Sequence, residues 1–477
     1  MASATDLPSQ PGLNDPVIMM SCFSLTGHFT PALQVAAYLA QRGYTVYFVT
    51  SPAFKTTLET TEPRIKFISA MGPAGMLPDA AQHPIFLGKT TGFESLVEIM
   101  GGWSMCMPSS LESLRRAMTQ IRHENEGRKL IIVTEAAAPG VVALKLGAEL
   151  PEGYTAVPKS LAFNIVPPIY TSLDQGPPLL GLPYDASHSE AVRSRNLTIA
   201  KLLALAFKST YDQMRLTLQI CGVQEAALTN LFGDHGDLIE HSPLEAMYTS
   251  HDIVLQMCIP SLEYPISDWP SNMRFGGTLP VKPLPVGFQF PSWFEQVEAN
   301  SPNAPDPNPA RKKIVTVAQG TLAIDWSALL VPTIRSLANR QDVIVIAILG
   351  VKEASLNIEI PANTIVVDYF PYDAAIMHTD VFVTNGSYGA FSHCVQHGVP
   401  MVLAGHSEDK ADIGMRAEWA GFAINLRTGN PTAEMISRGI DRILGDIRYK
   451  ERAHELMQEA QKFDALANLE KEVRALF

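Results

Sequence analysis

Short β-branched runs alternate along the chain with stretches of helical periodicity, the order expected of parallel βαβ units. In the first half the runs are VIMMSC (17–22), TVYFVT (45–50), KLIIVTE (129–135), LAFNIV (161–166) and DIVLQM (252–257). The second half repeats the theme with KIVTVAQ (313–319), DVIVIAIL (342–349), NTIVVDYF (363–370), DVFVT (380–384) and PMVLAG (400–405). Between the first two runs a helix is predicted from about Thr30 to Arg42, with Leu33, Ala36, Ala37 and Ala40 on one face and Gly43 as its stop. The expected fold class is α/β, with two doubly wound parallel sheets.

Prolines and asparagines crowd PVKPLPVGFQFPSWFEQVEANSPNAPDPNPA (280–310), which neither helix nor sheet tolerates. They place an interdomain linker at 266–310, between a first domain at 1–265 and a second at 311–448. Residues 449–477 carry Leu466, Leu469, Val473 and Leu476 at helical spacing. This terminal helix either covers its own domain or crosses back to the first.

A length of 477 residues is too great for one ordinary core and agrees with two domains. Composition, 46% hydrophobic and 18% charged, is that of a globular protein. The formal charge of −12 disfavours nucleic acid and anionic membranes as general partners. Cys22, Cys106, Cys221, Cys258 and Cys394 show no CxxC spacing, so neither a zinc site nor a disulfide framework is expected. The opening MASATDLPSQPGLNDP lacks the basic and apolar regions of a secretory signal, and no run approaches the ~20 apolar residues of a membrane span. The expected location is the cytoplasm, with no transmembrane segment.

Facing parallel sheets place ligand crevices at the carboxyl ends of their strands. One such end reads FSLTGHFTP (23–31) and puts His28 on the rim, beside Gly27, which allows close approach, and Pro31, expected in a first helical turn. Another carries Glu135, able to hold an imidazole in one tautomer. A solvated capping histidine and an acid favoured by a helix N-terminus are the bland alternatives. A third end, TNGSYGAFSHCVQHGVP (384–400), joins a strand to a helix through small residues, a geometry that exposes helix N–H groups to an anion.

Taken together, GHFTP and NGSYGAFSHCVQHGVPMVLAGHSEDKADIGMRAEWAGFAINL (385–426) resemble the UDP-sugar-dependent glycosyltransferases of the GT-B fold, family 1 type, in a microbial or fungal-like branch. That family's signature is HGGxGTxxExxxxGVPxxxxPxxxDQxxNxxRxxxxGxGxxL, matched in spacing at Gly398, Val399, Pro400, Asp409, Arg416, Gly421 and Leu426. Supporting matches are QGT (319–321) and DYFPYDAAIMHTD (368–380), where the family lines the nucleobase. The sequence departs at Asn385, His393, Lys410 and Ile413, where the signature has His, Glu, Gln and Asn, and Glu135 stands where an Asp is usual. Residues 70–260 match weakly.

The resemblance implies two Rossmann-like domains facing a cleft, the first binding acceptor and the second nucleotide sugar. It implies an inverting, metal-independent hexosyl transfer from a UDP-sugar, UDP-glucose foremost, as co-substrate with no permanently bound cofactor. His28 is the implied base and Glu135 its partner. The implied donor-binding set is Gly27, Gln319, Thr321, Tyr369, Phe370, Asn385, Gly386, Ser387, Gly389, Ala390, His393, Glu408, Asp409 and Lys410. The second partner is a small hydrophobic hydroxyl-bearing acceptor, a phenol, polyketide, sterol or lipid. Its pocket is expected from GGWSMCMP (101–108), FNIVPPIY (163–170) and the helical region near 190–220, stretches that ordinary core packing explains equally well.

Rival readings stand beside this one. A dehydrogenase needs a GxGxxG after a strand, which is missing, and NGSYG misses the GxSxG register of a serine hydrolase by one residue. A catalytically inactive nucleotide-sugar binder and a UDP-sugar epimerase of the same fold share the architecture and differ in whether an acceptor glycoside forms.

Overall fold

The computed structural model describes residues 15–76, 93–233, 242–282, 284, 287–304, 309–320 and 325–477. Among these, seven strands make one sheet: β1 (Val17–Ser21), β2 (Val46–Thr50), β3 (Lys66–Ser69), β4 (Leu130–Glu135), β5 (Lys159–Asn164), β6 (Ile253–Gln256) and β7 (Met273–Phe275). Six make the other: β8 (Lys313–Ala318), β9 (Val343–Ile348), β10 (Thr364–Val367), β11 (Val381–Thr384), β12 (Met401–Leu403) and β13 (Ala423–Asn425). The orders are β3-β2-β1-β4-β5-β6-β7 and β10-β9-β8-β11-β12-β13. Every recorded pairing is parallel.

Strand order reverses between β1 and β4 in the first sheet and between β8 and β11 in the second. At such a switch point the connections leave toward opposite sides and open a crevice at the strand ends. Apolar clusters flank each sheet on both faces, which is why the strands read as continuous hydrophobic runs.

Three strands escaped the periodicity. β3 alternates only weakly, β13 is three residues long, and β7 lies inside the stretch its prolines marked as linker, extending the first sheet to Phe275. Helix α1 (Thr26–Gln41) begins four residues before the expected Thr30, because Leu25 at its N-cap provides no side-chain hydrogen bond to signal the start. His28 therefore lies in the first turn. Pro31 is one turn in, a correction to its expected place, and its missing N–H deprives the Gly27 carbonyl of a helical donor.

The terminal segment divides into α7 (Ile447–Ala460) and α8 (Ala465–Arg474), numbered after α2 (Phe93–Glu124), α3 (Glu190–Ala206), α4 (Lys208–Ile220), α5 (Tyr388–His397) and α6 (Lys410–Trp419). Helix α8 crosses back: Ala465, Leu469 and Val473 join the first domain's core beside α1. Glu470, 1% exposed, takes hydrogen bonds there from Arg42 (2.9 Å), Tyr38 (3.1 Å) and Tyr44 (3.2 Å) and pairs with Arg474 at 2.9 Å.

Candidate active site

At the first switch point, β1 delivers the α1 start and β4 ends in Glu135, which is fully buried. Main-chain N–H groups hold that carboxylate, Ala137 donating to Oε1 at 2.9 Å and Phe23 to Oε2 at 3.4 Å. Nδ1 of His28 stands 3.0 Å from Oε2. Nδ1 is not aligned for a hydrogen bond, and the contact becomes an ion pair only when the imidazole is protonated. Phe23 meets the imidazole edge-on at 5.7 Å between ring centroids. With Nδ1 turned to the carboxylate, Nε2 is the nitrogen left to take a proton.

Burial works against the imidazolium, but the Glu135 charge outweighs it and, with a weaker contribution from Asp409, raises the His28 pKa above its ordinary value. Asp409 belongs to the second domain. Burial pushes its carboxyl up to about 6, with His28 opposing the rise. The two domains thus bring an imidazole and a carboxyl into one electrostatic field.

At the second switch point, Gln319 follows β8 and Asn385 follows β11, and Asn385 Nδ2 donates to the Gln319 carbonyl at 2.9 Å. Gly386 turns the chain at φ +89°, a left-handed conformation that favours glycine. Ser387 then caps α5, its Oγ accepting the Ala390 N–H at 3.4 Å. Gly389, in that first turn, is exposed, and a Cβ there would meet nothing within 4 Å. Across the turn Gly405 lies so close that its Cβ would stand 1.8 Å from the Asn385 carbonyl oxygen, pressing the loop after β12 against this turn. The result is a helix N-terminus with a small, exposed residue in its first turn, a place where main-chain N–H groups can meet an anion.

Other expected residues fall into two groups. Lys410 is in ionic contact with Glu408, and burial pushes its ammonium down to about 8. Glu408 holds φ +49°, a strained conformation for a non-glycine residue. Both flank Asp409. His393 contacts Asp373 Oδ1 at 2.7 Å, and His397 reaches the same oxygen at 3.0 Å. Burial raises the Asp373 pKa, but the two imidazoles outweigh it and leave the carboxyl below its usual range. Asp373 escaped notice in the sequence. Its one signal was an acid in the first turn of the short helix after β10.

Two of the expected donor-binding side chains are engaged within the fold. Gln319 spends its side chain on the fold, Nε2 donating to the Asp325 carbonyl and Oε1 accepting the Leu330 N–H, each at 2.9 Å. Phe370 is 4% exposed and packs against Trp293 at 5.1 Å and Phe294 at 5.6 Å, so its ring is core. Tyr369 is exposed, with Lys352 Nζ 5.7 Å from its ring centroid. Gly27 is exposed on α1 with open space where a Cβ would stand. Thr321 lies outside the described residues. Among those described, no group of three or more His, Cys, Asp or Glu could hold a metal ion.

On the acceptor side, 101–108 lies within α2, where Trp103 donates to the Ala137 carbonyl at 2.7 Å and Met107 is fully buried. Most of that segment is core. The 190–220 helices instead line a narrow apolar recess partly open to solvent, walled by Met100, Leu179, Leu203, Phe207, Tyr211 and Leu244.

Two doubly wound parallel-sheet domains define the GT-B class of glycosyltransferase fold. Solved structures agree on the fold: the kitacinnamycin glycotransferase has a TM-score of 0.66 at 16% identity, covering 97% of this chain and 99% of its own. The calicheamicin glycosyltransferase CalG4 has 0.60 at 14%, covering 97% and 98%. Residues 333–473 match the family described as erythromycin biosynthesis protein CIII-like, C-terminal domain.

UDP-glucosyltransferase 1 of Beauveria bassiana (strain ARSEF 2860) is 33% identical over 468 residues, covering 94% of this chain and 92% of that protein. UDP-glucosyltransferase B1 of Starmerella bombicola is 31% identical, covering 97% and 99%. The chain belongs to the family 1 UDP-glycosyltransferases and transfers a glycosyl group from a UDP-sugar. No helix among the described residues is long and apolar enough to cross a membrane.

Proposed function

We propose that the enzyme moves glucose from UDP-glucose to a hydroxyl of a small hydrophobic acceptor, with inversion and without a metal, in the cytoplasm. The observation that carries this reading is the His28–Glu135 contact at 3.0 Å on the crevice rim, with Asp409 of the other domain in its field. The two relatives named as UDP-glucosyltransferases support glucose as the sugar.

His28 Nε2 takes the acceptor hydroxyl proton as that oxygen bonds to the anomeric carbon. The bond from that carbon to the β-phosphate oxygen breaks with its electron pair leaving on UDP, and attack from the opposite face inverts the centre. Glu135 stabilises the imidazolium. The N–H groups at the α5 start take up charge on the departing diphosphate, the part a metal plays in other transferases. Asp409 and Lys410 face the sugar hydroxyls, Tyr369 the base, and His393 the ribose side.

The test is mass spectrometry of products from UDP-sugars with a pooled set of phenolic and lipid alcohols, comparing wild type with His28→Ala. General-base catalysis contributes about 10²–10⁴-fold, so the variant should lose that much glycoside formation while still binding UDP. A β-linked product from α-linked UDP-glucose, formed equally in EDTA, completes the assignment. Equal rates in the variant would remove His28 from the chemistry, and a free epimerised UDP-sugar formed without acceptor would replace transfer by epimerisation.

A further inference from the structure

The segment Thr171–Asp185 of the first domain reaches across to α6, which begins with Lys410 just after Asp409. Asp412, 5% exposed in the first turn of that helix, takes two main-chain hydrogen bonds from it: Leu179 N–H to Oδ2 at 2.7 Å and Gly181 N–H to Oδ1 at 2.8 Å. Both donors have positive φ, +72° and +58°, and Leu179 is a branched residue in a conformation that favours glycine. A Cβ on Gly181 would stand 2.7 Å from the Ala411 side chain, so the segment lies directly on the helix.

That backbone is also a wall. Pro177, Pro178 and Leu179 line the same recess as Leu203 and Phe207. The recess thus has one side made by first-domain helices and another held in place by a donor-domain carboxylate. The seam has a second tie one turn further along α6. Arg416 and Glu263, both almost fully buried, pair at 2.6 Å, with Tyr264 under the guanidinium at 4.9 Å. Arg416 also lies 3.9 Å from Asp412 Oδ2, so the two ties are neighbours, and Glu263 still holds the guanidinium when Asp412 is replaced.

Resting on the transferase reading above, we propose that the recess takes the apolar body of the acceptor and that Asp412 is a positioning residue for it. It fixes the recess wall to the helix that carries Asp409 and Lys410, so acceptor and donor are registered by one carboxylate. Because Asp412 acts through backbone hydrogen bonds, its loss opens the acceptor side and leaves nucleotide binding intact.

The test needs no turnover, so its failure is separable from failure of the transferase assignment. The probe is 1-naphthol, titrated by its own fluorescence against wild type, Leu203→Trp, Asp412→Ala and Asp412→Asn, with UDP affinity measured calorimetrically on each. Wild type should bind the probe saturably, and Leu203→Trp, which fills the recess, should abolish binding. Asp412→Ala, losing both charge-assisted bonds, should weaken the probe about tenfold or more while UDP affinity stays within about twofold. Asp412→Asn keeps one acceptor oxygen and should recover part of the loss. Absence of saturable binding, binding that survives Leu203→Trp, an unchanged probe affinity in Asp412→Ala, or a parallel fall in UDP affinity would each overturn the proposal.

Discussion

Glu135→Gln is the substitution that most directly examines the dyad. It keeps the shape of the side chain and removes the charge 3.0 Å from His28 Nδ1. A hydrogen bond or close contact to a charged partner is worth about 1.5–3 kcal/mol, or roughly 1–2 pKa units at 1.36 kcal/mol each. The carboxylate raises the His28 pKa, so its loss lowers it. The base form then predominates to lower pH, and the acidic limb of the kcat/KM profile should move down by about 1–2 units. The imidazolium formed in the transition state loses the same stabilisation, so kcat should fall about 10- to 160-fold.

Gln also turns an amide N–H₂ toward one of the N–H groups of Phe23 or Ala137, which costs roughly 1–3 kcal/mol of folding stability. Rates must therefore be taken well below a separately measured Tm. Glu135→Asp retracts the carboxylate by about 1.5 Å and should resemble the Gln variant in rate while sparing part of the pH shift. An acidic limb that stays in place, with kcat within about threefold of wild type, would make Glu135 a loop anchor and refute the argument.

Gly389→Val adds a side chain where no protein atom is met, so the fold should tolerate it while UDP affinity falls about tenfold or more; an unchanged Kd by calorimetry would move the diphosphate away from α5. Lys410 is charged below about 8 and neutral above it, so UDP-sugar affinity should decline as pH rises through that value, and Lys410→Gln should flatten the decline in a pH series of Kd measurements. Glu470→Gln strips the charge from the 1%-exposed carboxylate that binds α8 to α1 and should cost about 3–5 kcal/mol in denaturant unfolding at pH 7. Burial raises the Glu470 pKa, but its hydrogen bonds outweigh that and leave it below normal, so the stabilisation is present above the unfolded value of about 4.3 and lost as pH falls through the folded one. The gap between wild type and variant should therefore close in acid, and a constant gap would contradict the assignment.

The strands and the donor bay were legible for a common physical reason. Buried parallel strands must be apolar runs, and a helix start that faces an anion must be small, so both leave local marks such as VIVIAI and NGSYG. His28 and Glu135 could be picked out as candidates because one starts the helix that follows β1 and the other ends β4, the two strands at the switch point. The partners of Gln319 and Phe370 were not legible because tertiary packing sets them: the Gln319 amide is spent on Asp325 and Leu330, and the Phe370 ring on Trp293 and Phe294.

Asp412 left no local mark of its role, since its partners, Leu179 and Gly181, lie more than 200 positions away and are engaged through backbone N–H groups that any residue could offer. That asymmetry follows from what each half of the reaction requires. A diphosphate is bound by main-chain geometry, which constrains the sequence at fixed spacing. An acceptor is bound by a concave apolar surface assembled from distant elements, which constrains total shape and leaves each contributor free to vary. A residue such as Asp412 belongs to both descriptions: it lies inside the spacing of the donor signature and has its effect on the acceptor wall. Exchanging Thr171–Asp185 between two such enzymes should consequently carry acceptor preference with it only when the exchanged segment still presents two N–H groups to an acid at this position of α6.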